Sequence, residues 1–237
     1  MRRESRTRFF VYEETIRFDK DVDFCQLANT MDQLETELKF YVPDEQDLRD
    51  RLMQLGAACI NQRIFEHNVR YETEDGWLQK NRCLLRLRQD RHTTLTFKSP
   101  PHAADTRFKV YHEREVRLDD FDTMDAILDA LGFGRRQVYQ KWRETWRLDE
   151  VELCVDTMPY GSFLEIEGSP DPIMQAVRDL GLGWGRRILA SYLEMFAVLH
   201  KKEGLPFTDV TFDNFSTVNV SFAAYRHLFE TGAAAEP

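Results

Sequence analysis

Long apolar runs and paired cysteines are both missing from this chain of 237 residues. No stretch approaches the roughly 20 apolar residues that a membrane-spanning helix needs. The opening Met-Arg-Arg-Glu-Ser-Arg is not followed by the apolar core of a signal peptide. Because the four cysteines form no CxxC pair, a structural zinc site or a disulfide framework is disfavoured. The sequence therefore predicts a cytoplasmic protein without a membrane partner.

An excess of positive charge is also absent. The chain has 32 Lys and Arg against 41 Asp and Glu, a formal net charge of -9. An acidic chain of this kind is not expected to coat nucleic acid. The charge sum is an average over the whole chain, however, so bases gathered inside a fold can still bind a small polyanion. A composition that is 42% hydrophobic and 12% aromatic indicates a folded protein.

Alternation of apolar and polar residues predicts a strand-rich domain interrupted by helices. The sequence predicts helices at 43–57, 120–131 and 172–182, and a fourth that begins after Ser191 and runs to His200. This order is typical of an α+β domain. The predicted strands are 33–41, 62–72, 83–90, 93–98, 108–117, 137–148, 151–157 and 162–168.

Like charges recur two residues apart on these strands, which places them on one face of the sheet. The acidic pairs are Glu35/Glu37, Glu113/Glu115 and Glu165/Glu167, and Arg86/Arg88 is a basic pair. A solvated face of an ordinary sheet explains the charges of any single strand, but it poorly explains why like charges are paired on several strands. Two carboxylates about 7 Å apart repel by roughly 2 kcal/mol at an effective dielectric near 20. A hard divalent cation supplies a counter-charge, and neighbouring bases would hold phosphates.

A mostly antiparallel eight-stranded sheet that closed on itself would gather these charges in a polar interior. The Glu35-x-Glu37-x-Lys39 motif is similar to the ExExK signature of the CYTH proteins, the triphosphate tunnel metalloenzymes. Later motifs resemble the family's remaining strands in the same order, over about Leu34 to Phe196. They are Leu-Leu-Arg86-Leu-Arg88, Leu-Thr-Phe-Lys98, His-Glu113-Arg-Glu115, Gln-Lys141-Trp-Arg143, Cys-Val-Asp156 and Phe-Leu-Glu165-Ile-Glu167.

This resemblance implies an eight-stranded antiparallel closed β-barrel, the triphosphate tunnel, with flanking helices. It also implies Mg²⁺ or Mn²⁺ as the cofactor, with Lys39, Glu37, Arg86 and Arg88 as catalytic residues. The implied triphosphate-binding residues are Lys39, Arg86, Arg88, Lys98, Lys141, Arg143 and Arg187. The implied metal ligands are Glu35, Glu37, Glu113, Glu115, Asp156, Glu165 and Glu167.

The resemblance further implies a metal-dependent enzyme that cleaves a phosphoanhydride bond. A triphosphatase acting on tripolyphosphate or an organic triphosphate such as thiamine triphosphate is slightly favoured, because the sequence shows no obvious base pocket. The alternative is a class IV adenylyl cyclase, which converts ATP to cyclic AMP and pyrophosphate. A non-catalytic polyphosphate-binding module is a third interpretation, which the seven carboxylates disfavour. Asn68 departs from the family, since some members have an acidic residue there.

The sequence divides into three parts. Residues 1–30 form an N-terminal extension. If translation starts at Met31, these residues are a misassigned leader. The tunnel domain covers 31–200, and residues 201–237 form an aromatic arm and tail. Nothing in the sequence sets the oligomeric state, so an oligomer remains open.

Overall fold

The computed structural model describes residues 33–232, so the prediction for residues 1–30 lies outside the described residues. Eight strands dominate the fold, as predicted, with helices between and after them. The strands are β1 (Gln33–Val42), β2 (Ala58–Thr73), β3 (Leu84–Gln89), β4 (Thr93–Ser99), β5 (Lys109–Leu118), β6 (Phe133–Leu148), β7 (Val151–Met158) and β8 (Gly161–Glu167). The helices are α1 (Glu45–Gln54), α2 (Trp77–Lys80), α3 (Phe121–Ala130), α4 (Pro170–Asp179), α5 (Tyr192–Glu203) and α6 (Phe212–Phe215).

The strands form one antiparallel sheet in a ring, in the order β1-β5-β4-β3-β2-β6-β7-β8. The last strand pairs with the first, with Lys39 opposite Glu165 and Phe40 opposite Leu164. The eight-stranded antiparallel sheet with flanking helices is therefore confirmed. Strands β2 and β6 each begin four residues earlier than predicted, because the two pair with each other along almost their full length.

The apolar core lies outside the ring, between its outer face and the helices. Leu38 and Phe40 point outward from β1 and are buried, as are Leu164 and Ile166 on β8. Asp44 caps the N-terminus of helix α1, and its carboxylate accepts hydrogen bonds from two backbone N–H groups of the first turn. The helical side of this core includes Leu48, Leu52, Ile173, Ala176 and Val177. Because apolar positions face outward, the alternating positions of the same strands face inward.

The C-terminal residues pack on the ring as a second apolar cluster. The Ser191 hydroxyl caps α5 and the Glu194 carboxylate returns to the Ser191 N–H, so the predicted cap is confirmed. Beyond α5, the Val210 N–H donates to the Val138 carbonyl at 2.8 Å. The cluster joins residues of the predicted arm, Leu205, Val210, Phe215 and Phe222, to Tyr139, Tyr160, Phe163 and Tyr192. No helix within residues 33–232 is both long and apolar enough to cross a membrane.

Candidate functional site

The strand register places the predicted site residues of seven strands, all but β2, on the inner face of the ring. Glu37 of β1 lies opposite Glu167 of β8 and Lys109 of β5, and the alternation continues from strand to strand. Strand pairing therefore gathers residues that are up to 132 positions apart, such as Glu35 and Glu167. The gathered residues are Glu35, Glu37, Lys39, Arg86, Arg88, Lys98, Glu113, Glu115, Lys141, Arg143, Asp156, Glu165 and Glu167.

Three of these residues form an acidic triad, Glu35, Glu37 and Glu167, on the paired strands β1 and β8. One carboxylate oxygen from each lies within 4.8 Å of the other two. Carboxylate oxygens are the ligands that Mg²⁺ and Mn²⁺ prefer, and three of them can share one dication. Of the predicted metal ligands, the structure brings these three closest together.

The pKa values of the triad show how strongly its charges interact. Burial would raise the pKa of Glu37, but the neighbouring Lys109 and Lys39 lower it to about 2. Burial and the charges of Glu35, Glu165 and Glu37 together raise the pKa of Glu167 to about 8, although Arg143 opposes the shift. A dication bound at the triad would compete with the proton that this raised pKa favours on Glu167.

Glu113 and Glu115 form a second acidic pair, on β5. Lys98 contacts the Glu35 carboxylate and lies 3.1 Å from Glu113 Oε2, so it bridges the pair to the acidic triad. Burial, with Glu35 and Glu115 nearby, raises the pKa of Glu113 to about 7 although Lys98 opposes the shift. The Thr96 hydroxyl donates to Glu115 Oε1 at 2.6 Å, which helps to keep that carboxylate ionised.

Most of the inward bases are held by carboxylates. Lys39 Nζ lies 2.5 Å from Glu165 Oε1, and Lys141 Nζ lies 2.8 Å from Asp156 Oδ2. Arg143 donates to both oxygens of the fully buried Asp156, at 2.7 and 2.6 Å, and also contacts Glu165. Burying a charge without a partner is costly, so these pairs offset desolvation. A phosphate chain that entered would have to take the bases from these carboxylates.

A second wall of the ring is rich in arginine. Arg86 and Arg88 project inward from β3, and Arg70 of β2 lies directly opposite Arg86. The Nε atoms of Arg70 and Arg86 are buried and without a hydrogen-bond partner within residues 33–232. Arg86 otherwise donates to the Tyr139 hydroxyl at 3.2 Å, to the Thr96 hydroxyl at 3.1 Å and to Glu115 Oε1 at 3.4 Å. Arg88 Nε lies 3.1 Å from Asp90 Oδ2. This arginine wall, Arg70, Arg86 and Arg88, therefore has unused donors at Arg70 and Arg86, which could bind an anion.

The arginine wall and the acidic triad face each other. Strand β2 is four strands from β1 in either direction round the ring, so the two strands are on opposite sides. A dication on the triad would add positive charge facing the arginines. The interior would then offer cations on both sides of a bound polyanion.

Three inward residues were missed by the sequence prediction, Lys109, Glu66 and Arg70. Lys109 Nζ donates to Glu37 Oε1 at 2.6 Å. Burial would raise the pKa of Glu66, but Lys141 and Arg143 lower it to about 2. All three lie at inward positions of strands that were predicted, so the two-residue alternation of those strands was enough to identify them as inward-facing. The motif-based assignment omitted them because they lie outside the quoted motifs.

Arg187 occupies a different environment from the other predicted phosphate-binding bases. Its Nη1 donates to the Trp184 carbonyl at 2.9 Å and its Nε to the Arg107 carbonyl at 3.3 Å. The guanidinium carbon lies 4.5 Å from the centroid of the Trp184 ring. Within residues 33–232, no ion pair joins Arg187 to the inward carboxylates. The structure therefore does not bring it together with the ring's charged network.

Comparison with known proteins agrees with this architecture. The family profile of the CYTH domain matches residues 33–180. A protein of Methanocaldococcus jannaschii named "Putative adenylate cyclase MJ0240" is 27% identical over an alignment of 174 positions, and the match covers 68% of this chain and 98% of that protein. The solved structure of the PH1819 protein from Pyrococcus horikoshii has a TM-score of 0.59 at 26% identity, covering 70% of this chain and 99% of that one. A Hippeastrum protein described as a "putative adenylyl cyclase" that reveals a dominant triphosphatase activity shares the fold, with a TM-score of 0.51 at 20% identity over 74% of this chain and 98% of that one.

Proposed function

Because the chain belongs to the CYTH family, we propose that it is a metal-dependent triphosphatase that binds a triphosphate group inside its ring of strands. One observation carries the proposal: the acidic triad on β1 and β8 faces the arginine wall on β2 and β3. A triphosphate is long and highly charged enough to contact a dication on one side and guanidinium groups on the other. We also propose that the ring acts as a closed tunnel and that the protein is cytoplasmic.

Glu35, Glu37 and Glu167 fit a hard dication, because three carboxylate oxygens converge and their mutual repulsion, which helps to raise the pKa of Glu167, favours a counter-charge. We propose Mg²⁺ or Mn²⁺ there. When bound, such an ion neutralises phosphate charge and lowers the pKa of a water molecule. The remaining predicted ligands, Glu113, Glu115, Asp156 and Glu165, hold the inward bases and are within the same charged network.

The bases of the ring bind and orient the phosphates. Phosphoryl transfer leaves charge on the equatorial oxygens of the reacting phosphorus, and fixed cations stabilise that charge. Arg86 and Arg88 suit this role, since their guanidinium groups can donate two parallel hydrogen bonds to one phosphate. We propose Lys39 and Glu37 as their catalytic partners across the ring. The proposed triphosphate-binding set also includes Lys98, Lys141 and Arg143, whereas Arg187 is left out because its donors bind backbone carbonyls.

Adenylyl cyclisation is the second candidate, and it rests on the adenylate cyclase name of the M. jannaschii relative. In that reaction the ribose 3′ hydroxyl attacks the α-phosphorus and pyrophosphate leaves. Hydrolysis is favoured because the charges inside the ring recognise phosphate alone and need no base pocket. A module that only binds polyphosphate would not require so many inward carboxylates.

One assay separates these functions. Purified protein is incubated with Mg²⁺ or Mn²⁺ and with tripolyphosphate, thiamine triphosphate or ATP, and phosphate, pyrophosphate and cyclic AMP are measured. We expect phosphate release; cyclic AMP with pyrophosphate would show a cyclase. Tight binding without any product would show a binding module instead.

Matched variants test the site. Glu37→Gln and Lys39→Ala should each abolish turnover while the fold is retained. Glu150→Gln and Lys201→Ala, which alter exposed residues outside the ring, should leave turnover unchanged. Full activity in both Glu37→Gln and Lys39→Ala would refute the proposed site.

A further inference from the structure

Tyr192, the first residue of α5, reaches the charged interior from the C-terminal cluster. Its hydroxyl donates to Asp156 Oδ2 at 2.8 Å. The ammonium nitrogen of Lys39 lies 4.4 Å from the centroid of its ring, and that of Lys141 lies 5.4 Å away. Both distances are within the range of a cation–π contact. One tyrosine therefore touches a buried carboxylate and two of the proposed phosphate-binding lysines.

Asp156 presents a difficulty for phosphate binding. Its Oδ2 accepts from Lys141, Arg143 and Tyr192, and its side chain is fully buried. A phosphate that takes Lys141 and Arg143 leaves this carboxylate without its two cations. An unpaired buried carboxylate is strongly unfavourable, and that cost would be subtracted from phosphate affinity. A neutral donor that stays on Asp156 lowers the cost.

Tyr192 meets the requirements for such a donor. A phenol is protonated at neutral pH, so the Tyr192 hydroxyl can donate to Asp156 without carrying a charge. Its position is fixed from three sides. The Tyr160 hydroxyl donates to the Tyr192 carbonyl at 2.8 Å, the Phe163 ring packs edge-on at 5.3 Å, and the Ser191 capping box holds the first turn of α5.

We infer that Tyr192 is a positioning residue, which keeps Asp156 hydrogen-bonded and supports Lys39 and Lys141 while these bases bind phosphate. The inference rests on the proposed triphosphate-binding function. The C-terminal helix α5 therefore contributes to the site through two features of Tyr192, its hydroxyl and the face of its aromatic ring. Separate substitutions can remove the hydroxyl alone or both features.

The test compares variants of the full chain by calorimetric titration with inorganic tripolyphosphate, in parallel with thermal unfolding. Tyr192→Phe removes the hydroxyl and keeps the aromatic ring of the side chain, and Tyr192→Leu removes both the hydroxyl and the aromatic ring. Tyr71→Phe is the matched control, because the Tyr71 hydroxyl donates to Asp125 Oδ1 at 2.6 Å outside the ring. Lys39→Ala serves as the reference for lost phosphate binding.

We expect Tyr192→Phe to raise the Kd for tripolyphosphate about tenfold and Tyr192→Leu to raise it about a further tenfold. Tyr71→Phe should keep the wild-type Kd although it also loses a tyrosine–aspartate hydrogen bond. If Tyr192→Phe and Tyr192→Leu both fold and bind tripolyphosphate with the wild-type Kd, the inference about Tyr192 is overturned, while the proposed function stands. Equal losses in Tyr192→Phe and Tyr71→Phe would also overturn it, since the effect would then be structural. If the wild type failed to bind tripolyphosphate, with or without Mg²⁺, the proposed function would fall first and the inference with it.

Discussion

Replacing Glu167 by glutamine should stabilise the metal-free protein and weaken its metal binding. The carboxylate oxygens of the acidic triad lie within 4.8 Å of one another. Two unit charges at that separation repel by about 3.5 kcal/mol at an effective dielectric near 20. Glutamine keeps the shape of the side chain and removes the charge, so the repulsion is lost without opening a cavity.

The raised pKa of Glu167 determines whether stability rises or falls with pH. The pKa of Glu167 is raised from 4.5 to about 8, so the native state binds a proton that the unfolded state has released between those values. Wild-type stability should therefore fall as the pH rises from 4.5 to 8. A shift of this size corresponds to about 5 kcal/mol. Because Glu167 is only partly buried, solvent screens part of it, and we expect a gain of about 3 kcal/mol for Glu167→Gln at pH 9 and little difference at pH 5.

Chemical denaturation in EDTA from pH 5 to 9 measures this gain, with Glu150→Gln as the exposed control. Titration with Mn²⁺ at pH 8.5 measures the metal affinity, which should fall at least tenfold because one of three carboxylate ligands is lost. A variant that is less stable than wild type at pH 9 would refute the repulsion argument. Unchanged Mn²⁺ affinity would refute the acidic triad as the metal site.

Three further changes test other contacts. Arg187→Ala should lower the melting temperature but leave the Km for tripolyphosphate within about twofold, because its donors bind the carbonyls of Trp184 and Arg107; a tenfold rise in Km would return Arg187 to the phosphate-binding set. Ser191→Ala removes the cap of α5 and should cost about 1 kcal/mol, seen as a fall in melting temperature of about 3 °C. Lys109→Ala should tighten Mn²⁺ binding severalfold at pH 8 in a calorimetric titration, since Lys109 competes with a dication for a carboxylate of the acidic triad; weaker binding would contradict that competition.

Strand alternation was the part of the fold that the sequence predicted best. Because inward and outward positions differ so strongly in charge, the period of two located all eight strands. The four-residue helices α2 and α6 were missed, since they are too short to show a helical period. The early starts of β2 and β6 were also missed, because the irregular pairing near Cys59 and Asn61 interrupts the alternation.

The sequence predicted most of the residues that form the candidate site, but it did not predict which of them lie next to one another. The motifs named Glu35, Glu37 and Glu167 among seven acidic residues, yet only strand register shows that these three converge. The role of Tyr192 had no signal in the strand pattern, because it depends on where a helix outside the ring places one side chain. Arg187 shows the opposite limit, since the resemblance implied a phosphate-binding base but the guanidinium donates to the Trp184 carbonyl.

The location of the apolar core outside the ring has a consequence for how this architecture can evolve. In most small domains the interior is the source of stability, and changes there are destabilising. Here the apolar contacts that hold the strands to the helices are on the outer face, with Leu38 and Ile166 among them, and the inner face carries the chemistry. A substitution inside the ring that keeps the buried charges paired therefore leaves these outer contacts intact. This separation would let the inner face change which anion it binds without removing the apolar contacts that hold the strands to the helices.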